Sequence, residues 1–175
     1  MSRSQLDRKI DEIISNQITK YALKDLNKLY LKKNKHKYVL FRIAKLEFER
    51  RLYDLSKEHF NILQNEPEYY VASTYYLACI ADREKEYNLV LEYLKKIMDI
   101  DSEYKELITG LYSEVLYKLK RSNDVIEFYR NLSEKGSVDA KTYYYASKAY
   151  AIRKDQPDNI SKCIIAYIKN LFKLY

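Results

Sequence analysis

The sequence predicts an all-α protein, a solenoid of antiparallel helix pairs, and three observations carry this prediction. Residue types return every 34 positions, apolar residues recur at three- and four-residue spacing nearly throughout, and glycine and proline number only two each in 175 residues. A period of this length is typical of stacked helix pairs, none of which can bury its apolar face alone. The scarcity of turn-forming residues disfavours a fold of many short strands.

The recurrence is clearest between two consecutive stretches of the chain. Positions of similar character pair across one period as follows: Ile43 with Leu77, Ala44 with Ala78, Tyr53 with Tyr87, Ser56 with Val90, Phe60 with Leu94, and Leu63 with Ile97. The period extends back to Thr19, Ala22, Leu26 and Leu29, and forward to Leu111-Tyr112 and Tyr145-Ala146. The third pair is displaced by one residue, since Val125, Tyr129 and Leu132 follow Val90, Leu94 and Ile97 by 35 positions.

Ten helices follow from this periodicity, and cap and stop residues predict where they end. Their predicted ranges are 3–16, 19–33, 37–51, 54–65, 68–83, 87–99, 103–119, 122–134, 138–153 and 159–174. Asn34 precedes the third helix, and Pro67 ends the fourth because it lacks the N–H that a helix interior needs. Asp101-Ser102 is predicted to cap the seventh helix, and Gly136-Ser137 to stop the eighth and start the ninth.

Composition and charge narrow the class of protein. No stretch approaches 18 uninterrupted apolar residues, and the N-terminus lacks a secretory leader, so we expect a cytoplasmic protein without membrane insertion. The two cysteines, Cys79 and Cys163, lie in helical contexts that suggest no disulfide framework. The net charge of +7 is concentrated at the start, where residues 1–60 carry 15 Lys or Arg against 8 Asp or Glu.

These repeats resemble the tetratricopeptide family. The resemblance rests on the period, on a small residue late in the first helix of each pair (Ala44, Ala78, Ala146) and on an aromatic opening the second (Tyr53, Tyr87). It implies a right-handed superhelix and a single domain over residues 1–175, with the best repeats at 37–104 and divergent capping hairpins at 1–36 and 138–175. The chain departs from the family in lacking its early tryptophan and its small-position glycine. Other helical-hairpin solenoids therefore remain open.

The resemblance also implies a binding groove lined by the first helix of each pair. The predicted groove residues are Phe41, Lys45 and Phe48, then Tyr75, Cys79 and Asp82, then Thr109, Ser113 and Leu116, then Tyr143, Ser147 and Tyr150. Aromatic and small side chains suit an extended or helical peptide, because aromatics offer contact area and a polar tip. Ordinary packing between helices is the alternative for several of these aromatics. Phe41 with Lys45 and Tyr75 with Cys79 do not form the family's carboxylate clamp, which disfavours the acidic tail of a chaperone as the partner.

The sequence therefore predicts a non-enzymatic scaffold that binds a peptide segment or a partner subunit, without cofactor or metal. The histidines, His36 and His59, are not spaced with cysteine or carboxylate for a metal site, and the two glycines stand alone, without a phosphate-binding loop. A homodimer through a terminal hairpin is a further open alternative.

The alternative function is binding of nucleic acid or another anionic surface. A basic patch of Lys32, Lys33, Lys35 and Lys37 would contact phosphates there. A solvated capping pair explains the same charges. A peptide-pheromone sensor ranks lower, because the DNA-binding head of such regulators is missing.

Overall fold

A computed structural model describes residues 3–15, 19–33, 35–153 and 157–172, and within these ranges the chain forms ten α-helices and no strand. The helices are α1 (Arg3–Ser15), α2 (Thr19–Lys32), α3 (Lys37–Glu49), α4 (Tyr53–Leu63), α5 (Tyr70–Arg83), α6 (Tyr87–Ile97), α7 (Lys105–Lys118), α8 (Ser122–Glu134), α9 (Ala140–Arg153) and α10 (Pro157–Phe172). The all-α prediction is confirmed, and each helix begins and ends within two residues of its predicted boundary.

The helices group into two compact units, Met1–Ile80 and Ala81–Tyr175. In the first unit α2 packs on α1 and on α3, and α3 packs on α4. In the second, α7 packs on α6, α8 and α9, while α9 also packs on α8 and α10. Consecutive helices are therefore neighbours within each unit. The prediction of one repeat domain over the whole chain stays a prediction.

One cluster of the first unit's core is apolar and draws on α1, α2 and α3. Its buried residues are Leu6, Ile10, Ala22, Leu26, Leu29, Val39, Ile43 and Leu46. They recur at three- and four-residue spacing because only one stripe of each amphipathic helix faces its neighbours. Removing this surface from water supplies the main favourable term in folding.

The small residues of the repeat lie where two helices approach closely. Ala44 in α3 and Ser56 in α4 are both fully buried. The Ser56 hydroxyl donates to the Ala44 backbone carbonyl at 2.9 Å. A larger side chain at either position would separate the helices, so this contact explains why both residues are small.

The pattern of buried residues repeats from one helix pair to the next, and it changes which residue of α7 occupies the small-residue position of the repeat. Ala44, Ala78 and Ala146 are each 0% exposed, and the residue of α7 that matches them is Ser113, also 0% exposed. Tyr112, which the strict period places there, is only partly buried. The one-residue displacement of the third pair is therefore already present in its first helix, α7.

Four helices end in the same turn, in which the first residue beyond the cap has a positive φ. These residues are Arg51 (φ 63°), Lys85 (φ 64°), Lys120 (φ 60°) and Gly136 (φ 65°). After each one, the next N–H reaches back five residues, as in the bonds from Leu52 to the Glu47 carbonyl (2.9 Å) and from Glu86 to the Ala81 carbonyl (2.9 Å). This is the Schellman motif, usually closed by glycine. Three of the four positions carry a lysine or arginine, whose positive charge is attracted by the negative end of the helix dipole.

Two predicted caps are wrong, and one lies outside the described residues. Helix α7 begins at Lys105 with no side-chain cap bond, so Asp101-Ser102 does not cap it. Gly136 does end α8, but the N-cap of α9 is Asp139 rather than Ser137, since the Asp139 carboxylate accepts from the Thr142 N–H at 3.0 Å. Asn34 is outside the described ranges. The His36 side chain accepts from the Tyr38 N–H at the start of α3.

Candidate functional site

The first unit holds a layer of aromatic rings centred on Phe41 and Tyr76. The Phe41 ring centroid lies 5.4 Å from that of Tyr69, 6.2 Å from Phe60 and 6.4 Å from Tyr76. Tyr76 stacks on Phe60 with centroids 4.8 Å apart and an interplanar angle of 1°. Aromatic pairs at these separations add stability beyond the area they bury. The four rings of this layer therefore pack against one another.

Four predicted groove residues meet at this layer. The Phe48 ring lies 5.2 Å from Tyr76, and the Tyr75 ring lies 5.7 Å from Tyr76. The Lys45 ammonium lies 5.8 Å from the centroids of both Phe41 and Tyr76. Attraction between the cation and the ring faces holds the Lys45 side chain across them.

Tyr76, the residue that joins these groups, was not predicted from the sequence. It sits beside a predicted groove residue, Tyr75, so the only available signal was the pair of adjacent tyrosines. Consecutive residues of a helix point about 100° apart, and the pattern alone did not show which of the two faces α3.

A cavity of about 260 Å³ opens on the same face of α3. Its lining combines apolar and charged side chains: Ile14, Tyr38, Phe41, Arg42, Lys45, Leu46 and Glu49. We call it the α3 pocket. It joins two predicted groove residues, Phe41 and Lys45, to neighbours on α1 and α3 that the prediction did not include.

The charged side chains around the α3 pocket differ in how they are held: Arg42 is hydrogen-bonded to other side chains, whereas Glu49 is exposed. The Arg42 guanidinium donates to the Asp11 carboxylate at 2.6 Å and to the Tyr38 hydroxyl at 3.0 Å. Burial raises the pKa of Tyr38, and its hydrogen bond with Asp7 acts in the same direction. Arg42 is thus held within the fold. Lys45 instead rests on aromatic rings, and Glu49 is exposed. A ligand could reach one positive and one negative group at this opening.

Cys79 and Asp82 fall in different units of the structure. Cys79 lies partly buried in the first unit and forms no disulfide. In the second unit, the Asp82 carboxylate accepts from the Lys118 ammonium at 2.7 Å. Asp82 is therefore engaged in an ion pair with α7.

Thr109 and Ser113 lie inside the second unit. Thr109 is 3% exposed and donates to the Asp139 carboxylate at 2.7 Å. The hydroxyls of Ser113 and Thr142 are 2.9 Å apart, and both side chains are fully buried. These groups form a polar contact between α7 and α9, and Leu116 is also buried. In this arrangement, all three predicted residues of α7 are packing groups.

With Ser113 as the small residue of α7, other residues of this helix occupy the predicted groove positions. One and four positions after Ser113 stand Glu114 and Tyr117, in place of Ser113 and Leu116. Glu114 pairs with Lys118 at 2.9 Å and also pairs with Lys141. Burial alone would raise the pKa of Glu114, but the hydrogen bonds from Lys118 and Lys141 outweigh it and lower the pKa below its ordinary value.

Aromatic rings continue this surface on α9. The Lys148 ammonium lies 4.5 Å from the Tyr144 centroid and 5.5 Å from that of Tyr117. The rings of Tyr117 and Tyr145 lie 5.4 Å apart. Burial, with the nearby Glu114 charge, raises the pKa of Tyr145 to about 12. The second unit therefore presents lysine and tyrosine side chains next to the Glu114 carboxylate, which is ion-paired with two lysines.

Two of the three predicted residues of α9, Tyr143 and Tyr150, pack against α8, and the third, Ser147, bonds within α9. The rings of Tyr143 and Tyr150 lie 5.8 Å and 6.3 Å from the ring of Tyr129. Tyr150 is only 2% exposed. The Ser147 hydroxyl donates to the Tyr144 backbone carbonyl at 2.7 Å. Of the three, Tyr143 has the most accessible position, since Ser147 and Tyr150 are buried.

The predicted basic patch lies where α2 ends and α3 begins. Lys32 and Lys35 are exposed, and Lys33 is partly exposed. Lys37 pairs with Glu66 at 2.8 Å. The turn therefore presents three cations close in sequence, and the fourth is partly neutralised.

Two absences apply to the part of the chain that the structure describes. In those residues no group of three or more histidine, cysteine, aspartate or glutamate side chains is arranged to hold a metal ion. Among the helices α1 to α10 as described, none is both long enough and apolar enough to cross a bilayer.

Comparison with known proteins adds no family to this description. No protein-family model matches the sequence, and no significant match is found among curated proteins or solved structures. The chain shows an all-α, repeat-like arrangement in which consecutive helices pack together, with an aromatic pocket on α3.

Proposed function

We propose that this chain is a non-enzymatic scaffold that binds a peptide segment of a partner protein, and that the α3 pocket is its principal contact. The observation that carries the proposal is the pocket's construction. The Lys45 ammonium lies against the aromatic rings of Phe41 and Tyr76, next to a cavity of about 260 Å³. That volume suits one large side chain of a peptide rather than a whole small-molecule ligand.

The repeat supports the same proposal. Residues at matching positions of α3, α5, α7 and α9 are buried alike, as tetratricopeptide-like helix pairs require. We propose that the chain belongs among divergent members of such solenoids, with the first helix of each pair facing a concave, right-handed groove. Neither Cys79 nor Cys163 forms a disulfide, which supports a reducing compartment such as the cytoplasm.

A peptide-display selection against the full chain tests the proposal. Selected peptides should carry an aromatic or large aliphatic residue near a carboxylate, which Lys45 would pair with. Phe41→Ala and Lys45→Glu should each weaken binding about tenfold or more, because hot-spot contacts are worth at least about 1.4 kcal/mol.

Tyr21→Ala provides the matched control, since Tyr21 is a 57% exposed aromatic of α2 outside the pocket. It should leave the affinity unchanged. Selected peptides whose binding survives both pocket substitutions would refute the site.

A second candidate function is electrostatic binding of nucleic acid at Lys32, Lys33 and Lys35. The observation that favours it is the closeness of three cations at one turn. Binding should weaken steeply with salt, because each phosphate contact releases a counterion. Replacing the three lysines with glutamine should abolish retention on heparin. Retention that persists, or that does not change with salt, argues against this function.

A further inference from the structure

The second unit carries two aromatic residues at the same repeat positions as a pair in the first unit. Phe48 lies four residues after the small residue of α3, and Tyr117 lies four residues after that of α7. Tyr76 lies two residues before the small residue of α5, and Tyr144 lies two residues before that of α9. In each unit a lysine ammonium lies over the ring from the later helix. The same kind of surface is therefore built twice.

Lys148 covers the ring faces in the second unit. Its ammonium lies 4.5 Å from the Tyr144 centroid and 5.5 Å from the Tyr117 centroid, within the range of attraction between a cation and an aromatic face. A hydrogen bond with Tyr144 raises the pKa of Lys148, so the ammonium stays charged through neutral pH. A ligand that approaches these rings therefore meets a positive charge. We call Tyr117, Tyr144 and Lys148 the Lys148 site.

The other charges beside the Lys148 site are already paired. Lys118, which follows Tyr117 in α7, pairs with Asp82 at 2.7 Å and with Glu114 at 2.9 Å. Lys141 also pairs with Glu114. Lys148 itself has no carboxylate partner among the residues that the structure describes. Three lysines against two carboxylates leave one positive charge, and Lys148 carries it.

We propose that the Lys148 site binds an acidic segment of a peptide, in which an aspartate or glutamate carboxylate pairs with the Lys148 ammonium. Hydrogen bonds between two charged groups are stronger than those between neutral ones, so this contact can hold a ligand at a surface. The inference rests on the proposed function only in that the ligand is a peptide. It uses neither the residues nor the cavity of the α3 pocket.

The paired carboxylates favour a peptide over nucleic acid. A nucleic-acid backbone carries a negative charge at every phosphate, and its binding needs several cations together. Glu114 and Asp82 would repel such a backbone, because charges act on one another within a Debye length of about 8–10 Å. A peptide can instead place one carboxylate on Lys148 with small neutral residues on either side.

An NMR titration of the isotopically labelled full chain tests the site, with acetyl-Gly-Ser-Glu-Gly-Glu-Ser-Gly-amide as the probe. The amide signals around Tyr117 and Lys148 should shift and saturate. Lys148→Gln should weaken binding about fivefold or more, because it removes the charge and keeps a similar length. Lys148→Arg should stay within about twofold of the wild type, since arginine is also charged and also stacks on aromatic faces.

Lys162→Gln is the matched control, because it removes one charge from an exposed lysine of α10 in the same unit. It should leave the affinity unchanged, and a probe with glutamine in place of both glutamates should not bind. Equal losses for Lys148→Gln and Lys162→Gln would overturn the proposal in favour of general attraction to a basic protein. Unchanged binding in Lys148→Gln would overturn it outright.

Phe41→Ala separates this site from the α3 pocket. It should leave binding of the acidic probe unchanged, even if display-selected peptides fail to bind at α3. A loss of probe binding in Phe41→Ala, with the signals of α7 and α9 unmoved in the wild type, would overturn the Lys148 site and leave the α3 pocket standing. Oligothymidylate that binds more tightly than the probe, and is lost in Lys148→Gln, would overturn the peptide in favour of nucleic acid.

Discussion

The Thr109 hydroxyl donates to the Asp139 carboxylate at 2.7 Å, and this contact ties α7 to the first residue before α9. The same carboxylate accepts the Thr142 N–H at 3.0 Å. One buried aspartate thus caps α9 and joins it to its neighbour. Such a network is stabilising only when each member is satisfied.

Asp139→Ala should therefore destabilise the second unit by about 2–3 kcal/mol, since it removes a cap and leaves the buried Thr109 hydroxyl without its acceptor. Urea denaturation followed by circular dichroism measures the change. Asp54→Ala, at an exposed first-turn aspartate of α4, should cost less than about 1 kcal/mol. Equal losses for the two variants would show that the network contributes nothing beyond a surface charge.

Gly110 is required by the closeness of α7 to α9. A Cβ at this position would lie 3.0 Å from the Asp139 carboxylate and 3.0 Å from the Lys141 Cβ. Gly110→Ala should be destabilising by about 1–3 kcal/mol through overpacking, although alanine favours a helix by about 1 kcal/mol.

Gly136→Ala separates steric crowding from backbone strain. Gly136 has φ 65°, and no atom lies within 4 Å of the place that an alanine Cβ would take. The cost of this substitution should therefore come only from the left-handed backbone, at about 1 kcal/mol. Thermal unfolding of both variants measures the contrast. If Gly110→Ala raised the unfolding temperature, the close approach would be wrong.

The positive-φ cations at the helix ends predict stabilising substitutions. Lys85→Gly and Lys120→Gly should each raise stability by roughly 0.5–1 kcal/mol, because glycine adopts this backbone without the steric cost that a side chain pays. Lys95→Gly, within α6, should instead lower stability by about 1 kcal/mol. Differential scanning calorimetry compares them. A loss at all three positions would mean that the cation's attraction to the helix dipole outweighs the strain.

These turns show how far the sequence predicted the fold and where it stopped. The helices were predictable because each one has an apolar stripe of period 3.6 and ends at a recognisable break. Arg51, Lys85 and Lys120 gave no sign of a left-handed turn, since glycine is the usual signal. The position of Asp139 as a cap was missed for a similar reason, because Ser137 beside Gly136 was the stronger local pattern.

The helices α3 and α7 show which parts of the candidate site follow from the sequence. Phe41 and Lys45 both line the α3 pocket because they lie four residues apart on one helix, and their role in binding a partner stays a prediction. On α7, the 34-residue period placed Leu111-Tyr112 at the repeat position; Leu111 is buried, but Tyr112 is only partly buried. Thr109 and Ser113 also lie inside, because Asp139 just before α9 and Thr142 of α9 hydrogen-bond to their hydroxyls, and a local pattern cannot show such partners.

Alkaline pH should weaken the second unit. The pKa values of Tyr129 and Tyr145 are both raised to about 12, chiefly by burial. Since the folded state holds these protons more tightly than the unfolded chain, their contribution is complete below pH 10 and is lost between pH 10 and about 12. Denaturation curves across this range should show falling stability.

Tyr145→Phe should reduce the slope of that fall, because it removes one of the protons involved. Tyr21→Phe, which alters an exposed tyrosine of the first unit, is the control and should leave the slope as in the wild type. Stability that is flat from pH 10 to about 12 would count against the burial of both hydroxyls.

The most direct test of the proposed function is a titration of the isotopically labelled full chain with a display-selected peptide, followed by two-dimensional NMR. We predict that the amide signals around Phe41, Lys45 and Glu49 shift progressively, and that Lys45→Glu suppresses the shifts. Saturable binding that moves signals elsewhere and leaves those of α3 unchanged would contradict the account.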